Sequence, residues 1–280
     1  MATQRGEKLL NLNQEGLSKL DSMTKYPSIG TYHALDPATG MLQEDKVTSF
    51  VGTVVVTEKI DGCNARIILL PNGTYILGSR DTLLYAQGDL IQNPAHGIVD
   101  TLKNIGERIA GAERNNIMVI FGEVYGIGNG PWGNYTSRKE VGGFRVFDVM
   151  TIDNWPELMG SERARLALWR ESGGQQFYAE PGLTRFAREA GLELVPRLLV
   201  DHREQLPTTL QDTLDWMSEI LPESQAKLSP GGSGAPEGVV IRSWARSIIV
   251  KARFKDYRST LRRSAQNVLR EMAAADKAPA

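Results

Sequence analysis

The stretch VVVTEKIDGCNARIILL, residues 54–70, decides the fold, because two apolar runs flank a charged centre in it. The first run ends at Thr57, and the second occupies Ile67 to Leu70. Short apolar runs that are rich in β-branched residues and bounded by turn residues are typical of buried strands. Gly62 would allow a sharp backbone turn between them. The stretch therefore predicts two buried strands, with three charged residues in the gap between them, Glu58, Lys59 and Asp61.

The segments around this stretch predict a fold of mixed type. Strand-like segments lie at 51–57, 65–70 and 74–79, and Asn72-Gly73 between the last two is a strong hairpin signal. Helical periodicity recurs along the chain, at 7–23, 97–110, 161–171, 181–190, 209–221 and in a basic segment at 256–274. Strands scattered among helices favour an α+β fold of antiparallel sheets flanked by helices. No clear boundary divides the sequence, so we expect a single domain, 1–280.

Composition limits the classes of protein. The 280 residues carry a net charge of −1, so no global basic field points to nucleic acid, and any such surface must be local. Cys63 is the only cysteine, which excludes an internal disulfide framework and fits a reducing compartment. The sequence shows neither an apolar signal core nor the run of about 20 apolar residues that a membrane span requires. We therefore expect a cytoplasmic protein with no membrane partner.

Six short motifs, each in or beside a predicted strand, follow one another along the chain. They are Lys-Ile-Asp-Gly at 59–62, Ser-Arg at 79–80, Phe-Gly-Glu at 121–123, Phe-Asp at 147–148, Glu-Gly-Val-Val-Ile at 237–241 and Lys-Ala-Arg at 251–253. By itself the first motif fits a surface β-turn with a Lys–Asp pair equally well. In this order the motifs resemble the covalent nucleotidyltransferase superfamily, which holds DNA ligases, RNA ligases and mRNA capping enzymes. The resemblance spans about residues 51–257 and implies a nucleotidyltransferase fold, the ATP-grasp-like ligase adenylation fold.

The resemblance implies that Lys59 is a nucleophile, which attacks the α-phosphate of a bound nucleotide and expels pyrophosphate. A lysine amine attacks only when it is uncharged. Lys251 and Arg253 stand two apart on a predicted strand and therefore share a face. By the resemblance this pair clamps the α-phosphate, whereas a solvated basic edge is the alternative. Glu237 resembles the carboxylate that positions a catalytic Mg²⁺ or Mn²⁺ through water, because Mg²⁺ keeps much of its hydration shell.

The resemblance also implies a set of nucleotide-binding residues, Glu58, Asn64, Arg80, Glu123, Phe147 and Lys251. The planar fork of Arg80 suits a ribose or a terminal 5′-phosphate, although an exposed strand-end arginine is the alternative. Glu123 would contact the ribose hydroxyl and lie near the metal ion. Phe147 would stack on the purine, with core packing as the alternative and Phe144 as the second candidate for stacking.

Three positions bear on the branch within the superfamily. DNA ligases usually carry arginine five residues after the nucleophile, whereas this chain has Asn64, so that Glu-Lys-Ile-x-Gly-x-Asn resembles the RNA ligase 2 branch. Asp61 departs from that branch, which often has histidine there, and Arg253 replaces the lysine that ends the last motif. The resemblance therefore implies an ATP-dependent RNA ligase acting on RNA ends, in a nicked duplex or an RNA/DNA hybrid, or on DNA ends.

Three alternatives stay open at this point. A GTP-dependent capping guanylyltransferase and a DNA ligase share the motifs, and a degenerate nucleotide- or RNA-binding module would share the fold. About 23 residues follow Tyr257, and they contain no strands for the oligonucleotide-binding-fold domain that DNA ligases and capping enzymes carry there. We therefore expect a nucleotidyltransferase domain nearly alone.

The basic segment 256–274 has two readings. On a helix, four arginines would form one basic side, namely Arg258, Arg262, Arg263 and Arg270. These arginines would contact RNA phosphates, which fix register without reading sequence. The alternative is a solvated helix whose apolar side consists of Leu261, Val268 and Met272.

Overall fold

The computed structural model describes residues 13–92, 97–127, 135–137, 142–202, 206–232 and 234–275. The first half of the chain forms α1 (Gln14–Met23), β1 (Gly30–Thr31), β2 (His33–Leu35), β3 (Leu42–Val47), β4 (Thr53–Lys59), β5 (Cys63–Leu69), β6 (Tyr75–Ser79), β7 (Leu83–Ala86), β8 (Asp89–Leu90), α2 (Ile98–Ile109) and β9 (Ile117–Tyr125). The second half forms β10 (Gly143–Ile152), α3 (Trp155–Met159), α4 (Arg163–Glu171), β11 (Gln176–Phe177), α5 (Glu180–Glu189), β12 (Arg197–His202), α6 (Leu210–Ile220), β13 (Gly238–Ser243), β14 (Ile249–Arg253) and α7 (Phe254–Ala275).

The predicted α+β class is confirmed. Every strand pairing between these elements is antiparallel except that of β1 with β14, which is parallel. Helix α1 begins at its N-cap Asn13, whose side chain accepts a hydrogen bond from Gly16 N, and residues 7–12 of the predicted first helix lie outside the described residues. None of the described helices is long and apolar enough to cross a membrane.

The strands of the opening stretch are longer toward the charged centre than predicted. Lys59 is the last residue of β4, and Cys63 is the first residue of β5, so the gap between the strands is three residues. The prediction that Lys59 lies in the gap is therefore wrong, because the valine-rich β4 continues its pairing with β13 up to Lys59. A strand end fixes the backbone of Lys59 more firmly than a turn would.

The described residues divide into two compact units, and each takes several separate segments of the chain. The seven-stranded unit takes residues of Met1–Ser28, Asp61–Val195 and Lys227–Gly234. The five-stranded unit takes residues of Ile29–Ile60, Pro196–Ala226 and Ala235–Ala280. Because the two units alternate along the chain, neither is a contiguous segment, and the expected single domain stays a prediction.

The seven-stranded unit contains one sheet with the strand order β11-β10-β9-β5-β6-β7-β8. The residues of its central strands alternate between two apolar clusters. Ile67 and Ile120 belong to the cluster that includes Leu102 of α2, whereas Ile68 and Val119 belong to the cluster that includes Leu20 of α1. The sheet is therefore covered on both faces, and each buried aliphatic side chain stabilises the unit by about 1.5–3 kcal/mol.

The five-stranded unit contains a sheet with the order β1-β14-β13-β4-β12 and a separate hairpin of β2 and β3. Val54 and Val56 of β4 pack in its apolar cluster, together with Met217 of α6 and Tyr257 of α7. The alternating residues of β4, including Thr57 and Lys59, lie on the opposite face of the sheet. This alternation decides which side chains accompany Lys59.

Candidate active site

Lys59 and Glu237 form an ion pair in the five-stranded unit. Lys59 Nζ lies 2.5 Å from Glu237 Oε2, and the two side chains are 25% and 23% exposed. Glu237 directly precedes β13, and Gly238, the first residue of β13, lies opposite Lys59 in the sheet. The short distance is therefore a consequence of the register between β4 and β13.

The close packing around Gly238 admits no side chain. An ideal Cβ at this position would lie 2.1 Å from the carbonyl oxygen of Ala252, which is backbone and cannot move aside. The Glu237 carbonyl also accepts a hydrogen bond of 3.0 Å from Phe254 N. Glycine in the Glu-Gly motif thus allows β14 to approach closely and the first residue of α7 to hold the backbone of Glu237 in place.

Lys251 and Arg253 lie on the same face of the sheet as Lys59. Gly238 pairs with both Lys59 and Arg253, and the adjacent row joins Thr57 of β4 to Lys251 of β14 through β13. Directly opposed residues share a face, so three cationic side chains occupy this side. The expectation that Lys251 and Arg253 share a face agrees with the strand that they form.

The guanidinium of Arg253 is held by a carboxylate at the start of α7. Arg253 Nε donates to Asp256 Oδ2 at 2.7 Å, and Nη2 donates to Oδ1 at 3.1 Å. Such a two-bond arrangement fixes the plane of the guanidinium, which a lysine at this position could not reproduce. The departure from lysine at the end of the last motif therefore has a local partner in Asp256.

Glu58 lies on the other face of β4. Its side chain is 1% exposed and accepts hydrogen bonds from Ser224 Oγ at 2.5 Å and from Gln225 N at 2.8 Å. These bonds satisfy a carboxylate that burial would otherwise penalise. The nucleotide contact expected of Glu58 stays a prediction, and Ser224 is a partner that no sequence motif indicated.

In the seven-stranded unit, Gly62 permits a close approach of the chain to β9. An ideal Cβ at Gly62 would lie 2.5 Å from the carbonyl oxygen of Val124 and 2.9 Å from Glu123 Cγ. The backbone N–H of Asp61 donates to Tyr135 Oη at 2.8 Å. The glycine of the first motif is thus required by the contact with β9.

Asn64, Glu123 and Arg145 form one row across β5, β9 and β10. All three side chains are half-buried. Within the described residues, Asn64 Oδ1 is buried and accepts no hydrogen bond. The register therefore brings together two of the expected nucleotide-binding residues, Asn64 and Glu123, on one face of this sheet.

Arg145 is a residue of this row that the sequence motifs did not include. Its Nη2 lies 3.0 Å from Glu193 Oε2, its Nη1 donates to the Leu194 carbonyl at 3.3 Å, and its Nε donates to Tyr125 Oη at 3.3 Å. The available sequence signal was a charged residue, Arg145, between apolar residues of the strand GFRVFDV, which also contains Asp148. The pairing of Arg145 with Glu123, which the sequence does not indicate, is what places Arg145 in this row.

Phe147 lies at a β-bulge, because the register of β10 shifts between Val146 and Asp148. Its half-buried ring lies 5.0 Å from the ring of Tyr26, edge-on, and 6.5 Å from that of Phe121. Tyr26 Oη also donates to Asp148 Oδ2 at 2.9 Å. Phe147 thus has packing partners in its own unit, and its stacking on a purine stays a prediction.

Two further candidates differ in their surroundings. The ring of Phe144 packs directly over Gly122, where a Cβ would lie 2.3 Å from its Cε2. Phe144 therefore belongs to the apolar cluster on the opposite side of the sheet from Glu123. Arg80 is exposed directly after the end of β6.

The donor set fits a divalent ion that is held partly by substrate. No group of three or more His, Cys, Asp or Glu side chains within the described ranges could hold a metal ion. Mg²⁺ and Mn²⁺ do not need such a group, because they are commonly bound by one or two carboxylates together with phosphates and water. Glu237 has a hard carboxylate oxygen next to Lys59, and its role as a metal ligand stays a prediction.

The environment of Cys63 disfavours the charged thiolate form of its side chain. Burial raises the pKa of Cys63 to about 11, and the nearby carboxylates of Glu123 and Asp61 add to the effect by repelling a thiolate. The thiol therefore stays protonated at neutral pH.

We expect maleimide to modify Cys63 at pH 8 at least about tenfold more slowly than it modifies a free cysteine, whose pKa is about 8.5. The rate should rise with pH toward about 11, because the thiolate fraction rises. Intact mass measures the reaction, since Cys63 is the only cysteine of the chain. The protein unfolded in guanidinium serves as the fast-reacting control, and a rate that levels off near pH 8.5 would contradict the prediction.

Helix α7 is exposed on all sides from Arg262 to Arg270. Leu261 packs against the apolar cluster of the five-stranded unit, but Val268, Leu269 and Met272 are 53%, 66% and 61% exposed. Of the three residues of the expected apolar side, Leu261, Val268 and Met272, only Leu261 is covered by other described residues.

Comparison with known proteins gives a family and a fold. The sequence matches the family described as RNA ligase over residues 52–256. No curated protein sequence matches the chain significantly. A mutant Naegleria gruberi RNA ligase with ATP and Mn has a TM-score of 0.52 and 12% identity, covering 84% of this chain and 57% of that chain. A mutant of the same ligase with AMP and Mn gives the same values.

An archaeal ATP-dependent RNA ligase has a TM-score of 0.47 and 18% identity, covering 83% of this chain and 49% of the archaeal chain. The chain thus spans about half the length of the solved structures that it resembles. The likeness to the Naegleria gruberi structures shows a shared fold and confirms the prediction of a nucleotidyltransferase-type ligase fold.

Proposed function

Because the chain belongs to the RNA ligase family, we propose that it is an ATP-dependent RNA ligase that joins a 3′-hydroxyl to a 5′-phosphate. The observation that carries this proposal is the arrangement around Lys59. Its Nζ contacts Glu237 at 2.5 Å, and Lys251 and Arg253 lie on the same face of the sheet. A nucleophilic amine next to a carboxylate and two cations suits attack on a phosphate.

The proposed reaction has three transfers. First, Lys59 releases a proton to solvent, and its uncharged Nζ attacks the α-phosphorus of ATP. A nitrogen–phosphorus bond forms as Nζ releases a second proton, and pyrophosphate leaves with the electrons of the broken phosphorus–oxygen bond. An oxygen of the RNA 5′-phosphate then attacks the phosphorus of the AMP group, the nitrogen–phosphorus bond breaks, and Nζ of Lys59 takes up a proton as it leaves. Finally a 3′-hydroxyl attacks that activated phosphate, and AMP leaves. Lys251 and Arg253 would stabilise the charge on the phosphate oxygens in each transfer.

The remaining expected residues keep their proposed roles. Glu58, Asn64, Arg80, Glu123 and Phe147 would bind the nucleotide, within a single nucleotidyltransferase domain. Among these residues, nucleotide binding is best supported for Asn64 and Glu123. The two are neighbours in the sheet, and Asn64 has a buried oxygen that can still accept a hydrogen bond. Glu237 and Glu123 would hold Mg²⁺ or Mn²⁺, which would supply positive charge to the phosphates.

Labelling tests the proposal directly. The protein is incubated with ATP labelled at the α-phosphate and with Mg²⁺ or Mn²⁺, and the products are separated under denaturing conditions. We expect a labelled protein adduct from ATP, and then sealing of a nicked RNA duplex. An adduct from GTP alone would instead favour a capping guanylyltransferase, and sealing of DNA alone would favour a DNA ligase. No adduct from either nucleotide would contradict the enzyme proposal.

We propose that RNA contacts α7 through its basic side. The supporting observation is the exposure of Arg262, Arg263 and Arg270 on α7, where Arg263 Nη1 also donates to the Thr39 carbonyl at 3.3 Å. Replacing these three arginines with alanine should weaken RNA binding about equally for all sequences. A plot of log affinity against log salt concentration has a negative slope, and its magnitude should decrease by about 0.7–0.9 for each arginine removed. Met272→Ala is the matched control on the same helix, and an unchanged salt slope in the triple variant would contradict this contact.

A further inference from the structure

Strand β12 carries an arginine that none of the motifs includes. Arg197 lies opposite Thr57, although a regular ladder would place it opposite Glu58, because the pairing shifts by one residue between Arg197 and Leu199. Successive residues of a strand alternate between the two faces of a sheet, so a shift of one residue changes the face. The bulge therefore turns Arg197 to the face that carries Lys59.

The backbone around this bulge is anchored on both sides. Leu198 and Leu199 both pack against the apolar cluster of the five-stranded unit. The backbone N–H of Glu58 donates to the Pro196 carbonyl at 3.0 Å. Bulges next to active sites commonly redirect a side chain, and here Leu198 and Leu199 both pack in the core while Arg197 takes the opposite face.

The redirected arginine places positive charge on the second side of Lys59. Arg197, Thr57 and Lys251 belong to one row of the sheet, and Lys59 follows Thr57 by two residues. A strand spacing of about 4.8 Å and a rise of about 3.3 Å per residue separate the Cα atoms of Arg197 and Lys59 by about 8 Å. Lys251 and Arg253 lie on the β13 side of β4, whereas Arg197 lies on the β12 side.

We propose that Arg197 is a phosphate-binding residue of the ligation reaction. The inference rests on the proposed function, because it takes the reaction at Lys59 as given. A half-buried guanidinium on this face suits a phosphate group, since its planar fork donates two parallel hydrogen bonds to phosphate oxygens. The phosphate belongs either to the triphosphate of ATP or to the 5′ end of RNA. The two sources can be distinguished because ATP reacts in adduct formation, whereas the RNA end reacts in the later transfer of AMP.

The test compares wild type with Arg197→Ala and Arg197→Lys in two assays. The first measures the rate of adduct formation against ATP concentration. The second measures, in a single turnover, the transfer of AMP from a preformed adduct to RNA with a 5′-phosphate. We expect Arg197→Ala to slow one of the two steps by about tenfold to a hundredfold, the scale of one charge-assisted hydrogen bond. A raised KM for ATP would show that Arg197 binds the triphosphate of ATP. A slowed transfer of AMP to RNA would show that Arg197 binds the 5′-phosphate of the RNA.

Arg197→Lys should recover only part of the loss, because lysine keeps the charge and lacks the fork. Exposed Arg188 in α5 provides the matched control Arg188→Ala, and thermal unfolding shows whether each variant is folded. A folded Arg197→Ala that matches wild type within twofold in both assays overturns the inference and leaves the proposed function intact. A wild type that forms no adduct overturns the proposed function itself.

Discussion

Replacing Lys59 with alanine is expected to abolish the labelled adduct, with a loss of at least a thousandfold. The physical reason is that the phosphoramidate bond needs an amine at this strand end, and alanine provides none. The measurement is the α-labelled adduct on a denaturing gel, at matched protein and ATP concentrations. The loss should be the same with Mg²⁺ and with Mn²⁺.

Lys59→Arg is the matched variant. Arginine keeps a positive charge beside Glu237, so the ion pair at this position can persist, but a guanidinium is not deprotonated at accessible pH and cannot attack. We therefore expect no adduct from this variant either. RNA that already carries AMP on its 5′-phosphate should still be sealed, since the last transfer does not use the amine. A labelled adduct in Lys59→Arg would show that another residue is the nucleophile.

Local spacing made the cationic face of β14 predictable. Lys251 and Arg253 are two apart, and a strand of period two puts both on one side whatever lies around it. The glycines of the motifs were also informative, because Gly62 and Gly238 occupy positions where a Cβ would meet backbone oxygens within 2.5 Å. The spacing of Lys251 and Arg253 is local in sequence, whereas the contacts that require Gly62 and Gly238 come from other strands.

The residues that sequence reasoning missed depend on long-range register. Arg145 acquires its place only through its pairing with Glu123, and Arg197 only through a bulge that moves it from one face to the other. No local pattern in a single sequence encodes such a shift, because the alternation of polar and apolar residues is interrupted at the bulge itself. Ser224 likewise meets Glu58 across more than 160 positions of the chain.

Replacing Asp21 with alanine is expected to destabilise the protein by about 3–5 kcal/mol, because it leaves a buried arginine without its carboxylate. Arg66 is fully buried, and its Nη2 lies 2.5 Å from Asp21 Oδ1. Its Nη1 donates to Thr24 Oγ1 at 3.0 Å. Burial lowers the pKa of Arg66, and the charge of Asp21 opposes that shift. Gly78 makes room for this side chain, since a Cβ there would lie 2.8 Å from Arg66 Nε.

Thermal and denaturant unfolding measure the effect, which corresponds to a fall in Tm of about 10 °C for a chain of this size. Asp215→Ala, on the exposed side of α6, is the matched control and should change stability by less than about 0.5 kcal/mol. The double variant Asp21→Leu with Arg66→Met should recover most of the loss, because an apolar pair needs no charge compensation. Such a recovery would show that Asp21→Ala loses stability because the buried charge of Arg66 is left unpaired, and not because a contact is lost. If Asp21→Ala unfolds at the same temperature as Asp215→Ala, the ion pair contributes nothing to the attachment of α1 to β5.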